Sequence, residues 1–413
     1  MNEQSQEILG TTTDPYLEHG VSSEKTGVHD AIKDFDKGLF PGAFCQILPL
    51  PANLPAAFTD QFCQVIHTDG AGTKSNVAYL AMKEGLGLHF LATSLHDAIV
   101  MNTDDMACVG ICDHINLTNH IDRNANRVND VVLARLLHGY YDYITKMSQL
   151  GITLSHAGGE TADVGSYMTT MGLAVTAQAF IERSKVIDCS NIQPGAYIVG
   201  LASDGKCSYE DVYNSGIRSN GLTLAIHTLL APYYRKYTET MDDTIDPEKL
   251  FRGVYKLEDK LEGTPLTIAE AILSPTRTYL PVVRDILQDN IPVQGIIHCS
   301  GGGLTKSKKF GNRITYVKDA VLDLTVPPIF REIQRLGGIS DYYMYQIFNM
   351  GIGMEFIVAT REDAMRIIQH AAKYDIRAHI IGRTERSADG VNHVKIGENI
   401  YNNNWFIIPA NSL

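Results

Sequence analysis

The segment that most constrains this chain is His67–Lys74, which reads His-Thr-Asp-Gly-Ala-Gly-Thr-Lys and follows a short β-like run, Cys63–Ile66. Glycines at 70 and 72 let the backbone approach an anion closely and expose its N–H groups. Thr73 adds a hydroxyl donor, Lys74 a point charge, and Asp69 a carboxylate suited to the magnesium that accompanies a nucleotide. A strand, a glycine loop and a helix in immediate succession read as a phosphate-handling unit, although the glycine spacing is not that of a Walker A motif. The plain alternative is an ordinary turn, which such glycines also mark.

A chain of 413 residues, 44% hydrophobic, can bury large cores and is expected to form two domains. Its net charge of -12 argues against a broad nucleic-acid surface, which needs clustered cations. Lys306–Lys309 is too short a basic run to change this; it reads either as a solvated patch or as a lure for an anionic substrate. Seven scattered cysteines form no disulfide framework, so a reducing cytoplasm fits. Cys108 and Cys112, spaced to share a helix face, raise zinc, but no second Cys or His pair accompanies them. Met1–Glu7 lacks the basic start and apolar core of a secretory signal, and no stretch is apolar and long enough to span a membrane.

Hydrophobic periodicity predicts helices over 74–84, ending at Gly85, and over 129–150, with Val132, Leu136, Tyr140, Ile144 and Met147 on one stripe. Asn129 or Asp130 would cap the second helix, and Gly151 would follow it. A strand at 152–156, a turn at Ala157–Thr161 and a long strand at Met168–Phe180 come next. The pattern lapses through Arg183–Pro194, giving domains of 1–185 and 186–413. The second contains strands at Tyr197–Ala202, Val293–Cys299 and Met354–Ala359, helices after Ser219–Gly221 and at Arg361–Tyr374, and a late strand or hairpin at Val391–Ile400. The mixture indicates α+β layers.

Read together and in order, five glycine-rich turns carry a resemblance: Thr68–Lys74, Gly158–Ala162, Arg218–Gly221, Ser300–Gly303 and Phe348–Met354. With Asp97 and Asp105, Leu273–Tyr279 and Met344–Asn349, they resemble the phosphoribosylformylglycinamidine cyclo-ligase (aminoimidazole ribonucleotide synthetase) family over nearly the whole chain. The resemblance implies a two-domain α+β fold, with an N-terminal sheet domain that pairs with its twin in a dimer barrel and a C-terminal α/β domain. It also implies ATP- and magnesium-dependent ring closure of formylglycinamidine ribonucleotide by a cytoplasmic homodimer, in keeping with the charge and hydropathy that argue against nucleic-acid and membrane partners.

On that reading, Lys74, Asp105 and Glu160 carry the chemistry. Asp69, Gly70, Gly72, Thr73, Lys74 and Asp97 hold ATP, and Asp69, Asp105 and Glu160 hold Mg2+ or stand behind its ligands. Arg218, Ser219, Asn220, Gly221, Gly301, Gly302, Gly303 and Asn349 contact the ribonucleotide, with its 5′-phosphate at the helix start after Gly221 or at the triple glycine. Glu160 could instead pair with the substrate amidine, and any of these carboxylates could simply cap a helix or close a turn.

Two departures from the family pattern stand out. Ser203–Gly205 is separated from Ser219 by thirteen residues, with Arg218 where the family has histidine. The inserted Lys206–Ile217 is a lid over the site, a stretch that alters the substrate accepted, or a surface insertion. Asp104 stands where the family has asparagine, placing two carboxylates side by side, which disfavours folding unless a cation or cap is near. The competing readings are another ATP-dependent phosphotransferase of the wider superfamily with a different small substrate, or a binding protein that lost turnover.

Overall fold

In the computed structural model, the described residues are 14–21, 31–32 and 34–403, so the Met1–Glu7 reading lies outside them. The first sheet comprises β1 (Leu48–Pro49), β2 (Phe62–Gly70), β3 (Ile115–Arg123), β4 (Leu154–Asp163) and β5 (Met171–Glu182), in spatial order β1-β2-β5-β3-β4. Its pairs are antiparallel except β3 with β4. Alternation decides which face is covered: Cys63 and Val65 on β2 and Val175, Ala177 and Ala179 on β5 are buried, while Ile66 and Phe180 are more than half exposed on the opposite face.

The longer helices of this first unit are α1 (Lys74–Lys83), α2 (Ser94–Ala107) and α3 (Asp130–Gln149). Helix α2 packs on β2 and β5 and is buried almost throughout. The cap of α3 is Asn129, whose side chain accepts from the N–H groups of Val131 (3.1 Å) and Val132 (3.2 Å). Val132, Leu136, Tyr140 and Met147 of its stripe are buried and Ile144 packs beside them. Gly151, at φ +73°, turns the chain out of the helix.

The second sheet begins at β6 (Tyr197–Ala202) and adds β7 (Val293–His298), β8 (Ile314–Val317), β9 (Ile352–Val358), β10 (Ala378–Arg386) and the hairpin β11 (His393–Ile396) and β12 (Asn399–Asn402). Their order is β12-β11-β8-β10-β6-β9-β7, antiparallel except β8 with β11. Strand β9 is buried at every position. Around it lie α4 (Leu222–Leu229), α5 (Leu280–Gln288), α6 (Pro328–Gly337), α7 (Asp341–Ile347) and α8 (Arg361–Ala372). The two sheets and their helices make the two-domain α+β fold.

Three local expectations are corrected. Ala157–Thr161 is not a turn but the middle of β4: pairing with β3 continues through it, and a register shift beside Gly158 absorbs the extra residue. Cys108 and Cys112 do not share a helix face, because α2 ends at Ala107; both thiols are buried and burial pushes them upward in pKa. Lys206–Ile217 is not a surface insertion. Cys207, Tyr209, Asn214, Ser215 and Ile217 are buried, the Tyr209 hydroxyl donates to the Thr278 carbonyl at 2.6 Å, and Glu210 pairs with buried Arg277 at 2.5 Å.

Candidate active site

A cavity of about 450 Å³ lies where the glycine loops of the two domains converge. Its first wall is the end of β2 and the turn into α1, contributing Asp69, Gly70, Gly72 and Thr73, together with Asp105 of α2. Its second wall is Ser219–Gly221 at the start of α4 and Gly301–Gly302 after β7. The loops are tied directly: Thr73 Oγ1 lies 2.8 Å from Thr223 Oγ1. Gly221 is obligatory in this arrangement, at φ +79°, because a Cβ there would lie 2.1 Å from the Phe348 ring.

Electrostatically the cavity is two-sided. Asp69 and Asp105 stand on the first wall, whereas Lys306 and Lys308 line the second. Lys306 Nζ donates to Ser300 Oγ at 3.1 Å and lies 5.0 Å from the centre of the Phe44 ring. The run Lys306–Lys309 therefore follows the cavity rather than forming a solvated patch. The carboxyl of Asp69 is shifted upward, mainly by burial, against the N–H of Gly70 that it accepts at 2.7 Å. For Asp105, burial pushes upward most strongly of any single cause, but the hydrogen bond from His298 together with the neighbouring His298, Lys306 and His67 holds the carboxyl below the usual range.

Several nominated residues lie outside the cavity lining. Lys74 is only 1% exposed: its ammonium donates to Asp97 Oδ1 at 2.9 Å and to the Ser274 carbonyl at 2.5 Å. The same Asp97 oxygen accepts from the N–H and hydroxyl of Thr276, both at 2.7 Å. Lys74 and Asp97 thus bind one another beneath the loop, fastening the first domain to the segment 274–276 of the second. Glu160 is exposed on β4, opposite His120 of β3. Gly303 is buried against the Phe348 carbonyl. Asn349 is buried, accepting from Ser203 Oγ and the Gly351 N–H (both 2.8 Å) and donating to the Gly216 carbonyl (2.9 Å), which makes it a loop brace.

Arg218, too, is buried behind the wall rather than open to the cavity. Its guanidinium lies 3.5 Å from Asp104 and donates to the Arg277 carbonyl at 3.0 Å and to His298 Nε2. The two departures from the family pattern, Arg218 and Asp104, therefore face each other. Asp104 also accepts from Thr278 Oγ1 (2.7 Å) and the Tyr279 N–H (3.2 Å), while burial raises its pKa. His298 Nδ1 meets Asp105 Oδ1 at 2.5 Å, and His67 Nε2 lies 3.4 Å from Asp105 Oδ2. Sequence reasoning assigned no role to His298: a single histidine at a strand end carries no local signal. Tyr16, which lines the cavity, was also missed, because a lone tyrosine carries no local signal.

Residues 253–395 match the model of the AIR synthase related protein C-terminal domain. A phosphoribosylformylglycinamidine cyclo-ligase of Methanocaldococcus jannaschii is 32% identical over 351 residues, 83% of this chain and 85% of the relative. One from Acetivibrio thermocellus is 30% identical, covering 78% and 82%. Among solved structures, a HypE–HypF complex matches with a TM-score of 0.52 at 9% identity, over 91% of this chain and 98% of that one, a likeness of fold alone.

Proposed function

From the premise that this chain belongs to the phosphoribosylformylglycinamidine cyclo-ligase family, we infer that its cavity closes formylglycinamidine ribonucleotide to 5-aminoimidazole ribonucleotide, with ATP converted to ADP and phosphate. The observation that carries this reading at the level of the site is the convergence of Asp69–Thr73, Ser219–Gly221 and Gly301–Gly302 on one cavity large enough for a small ligand.

An amide oxygen is a poor leaving group. Its attack on the γ-phosphorus releases ADP and makes a phosphate ester at that carbon; the substrate's own nitrogen then attacks the carbon and inorganic phosphate leaves. The protein's part is alignment and charge stabilisation. Gly70 and Gly72 leave room for phosphate oxygens to approach the main chain, and Thr73 offers a hydroxyl beside them. The second wall, with the start of α4 and Lys306, suits the ribonucleotide phosphate.

Magnesium fits the first wall. Asp69 and Asp105 supply two carboxylates, and an ion that keeps several waters and shares phosphate oxygens needs no larger protein cage. Glu160, exposed on β4 and not among the residues lining the cavity, is left out of this pair. Bound there, magnesium would offset the phosphate charge. Lys74 and Asp97 serve as a strut. The uncovered face of the first sheet, with Ile66 and Phe180 exposed, suits pairing with a second copy, and seven free buried thiols suit a reducing cytoplasm.

The deciding assay follows ADP release by the purified protein with magnesium-ATP, with and without formylglycinamidine ribonucleotide, and detects the product by its diazotisable amine. Substrate-dependent ADP matched by amine is the expected result. ADP without amine would reject ring closure.

A further inference from the structure

The cluster behind the cavity floor contains two carboxylates, a guanidinium and an imidazole, and its hydrogen bonds permit only one arrangement of protons. A guanidinium has donors and no acceptor. Where Arg218 meets His298 Nε2, that nitrogen must accept, so the imidazole carries its proton on Nδ1 and is neutral. Nδ1–H then donates to Asp105 Oδ1 at 2.5 Å. The same Nη2 of Arg218 that meets His298 also lies 3.5 Å from Asp104 Oδ2, both side chains being at most 1% exposed. Arg218 thus touches Asp104 and His298 at once, and His298 carries the contact on to Asp105 at the cavity wall. Arg218 is itself held at φ +61° between Ile217 and Ser219, and its guanidinium lies 5.3 Å from the centre of the Tyr279 ring.

We propose that Arg218 is a positioning residue: acting through a neutral, Nδ1-protonated His298, it orients the carboxylate of Asp105 for the reaction, and Asp104 is present to balance the guanidinium that this requires. This rests on reading the cavity as the ring-closing site. Asp104 is no threat to folding beside Asp105, because its charge is consumed by Arg218; the two unusual residues are one device. The rare imidazole tautomer is its signature. Without the Arg218 donor, His298 could place its proton on Nε2, and the lone pair then left on Nδ1 would repel Asp105 instead of holding it.

Two measurements test this, and the first does not require turnover. In protein carrying 15N-histidine, with the His298 signals identified by their loss in His298→Gln, the neutral Nδ1–H form is expected at pH 7.5, and Arg218→Met should abolish it. An Nε2–H or doubly protonated ring in the unmodified protein overturns the proposal, whatever the fate of the cyclo-ligase reading.

The second is steady-state kinetics on folded variants. Asn at 298 can present a donor near the Nδ1 position, whereas Gln places its amide near Nε2. His298→Asn is therefore expected to retain at least tenfold more kcat than His298→Gln. Arg218→Met should lose about 10–100-fold in kcat, the size typical of partners that orient a functional ligand, with KM for the ribonucleotide within about threefold. Because Arg218→Met leaves buried Asp104 without its cation, the paired variant Arg218→His with Asp104→Asn supplies the control: it removes the guanidinium and the carboxylate together and should recover at least tenfold over either single change. Equal kcat in His298→Asn and His298→Gln, or additive losses in the pair, would refute the coupling.

Discussion

Removing the carboxylate that faces Lys74 separates two roles for that lysine. In Asp97→Asn the ammonium would stay 1% exposed, with the Ser274 carbonyl as its remaining charge-compensating contact, while Thr276 would lose an anionic acceptor for two hydrogen bonds. Breaking one side of a buried ion pair costs about 3–5 kcal/mol, because the partner is left charged in a poor solvent. Burial already lowers the pKa of Lys74, and Asp97 is the main group opposing that shift. Against a total stability on the order of 5–15 kcal/mol, the loss should be plain in urea unfolding followed by far-UV circular dichroism. Lys74→Met should also destabilise, since Asp97 is then the uncompensated charge. The double variant Lys74→Met with Asp97→Leu should recover part of the loss, because well-packed apolar groups can replace a buried pair at little net cost. If Lys74→Met unfolds at the same urea concentration as the parent while its KM for ATP rises tenfold or more, the strut is refuted and the ammonium meets the nucleotide in the working enzyme.

Two further outcomes follow from the same structure. Burial holds His96 at about 4 and His227 at about 3, below the ordinary histidine value; for His227 the neighbouring His19 and Arg252 add to the effect. The unfolded chain therefore binds more protons than the folded one below pH 6.5, so stability present above that value is lost as pH falls toward 4 and then 3. At about 1.4 kcal/mol per unit for each group, unfolding free energies at pH 7.5 and 5.0 should differ by roughly 3–4 kcal/mol. A flat profile over that interval would show that these rings are not buried neutral. Gly221→Ala forces a side chain into a left-handed position and against the Phe348 ring; it should lower stability by more than about 1 kcal/mol and weaken ribonucleotide binding, as titration calorimetry with the substrate would record. Wild-type affinity in that variant would remove the 219–221 loop from the site.

Much of this architecture is legible in local sequence. Asn129 and Gly151 bracket α3 as capping chemistry requires, and the apolar run at Tyr197–Ala202 becomes β6 without adjustment. The glycine loops that converge on the cavity could be nominated because glycine itself is the signal. What stayed hidden depends on partners far along the chain. A lysine directly after a glycine loop reads as a phosphate counter-charge, and only the fold brings Asp97 and the Ser274 carbonyl to it. Gly158 and Gly159 read as a turn, yet the pairing of β4 with β3 outweighs that tendency and turns the surplus residue into a bulge. Lys206–Ile217 looked like an insertion because its polar composition conceals Tyr209 and Glu210, whose partners Thr278 and Arg277 lie more than sixty residues later.

The contacts at the floor of the cavity also bear on how such a protein can be cut and recombined. Asp97, Asp104 and Asp105 come from the first half of the chain; Arg218, Ser274, Thr276 and His298 come from the second. Each half expressed alone would present an unmatched set of buried charges to water. A chimaera joining the N-terminal half of this protein to the C-terminal half of a relative with histidine at the Arg218 position would inherit Asp104 without its counter-ion. The unit of inheritance here is the charge-matched seam between the domains, and any exchange of halves has to carry both of its sides.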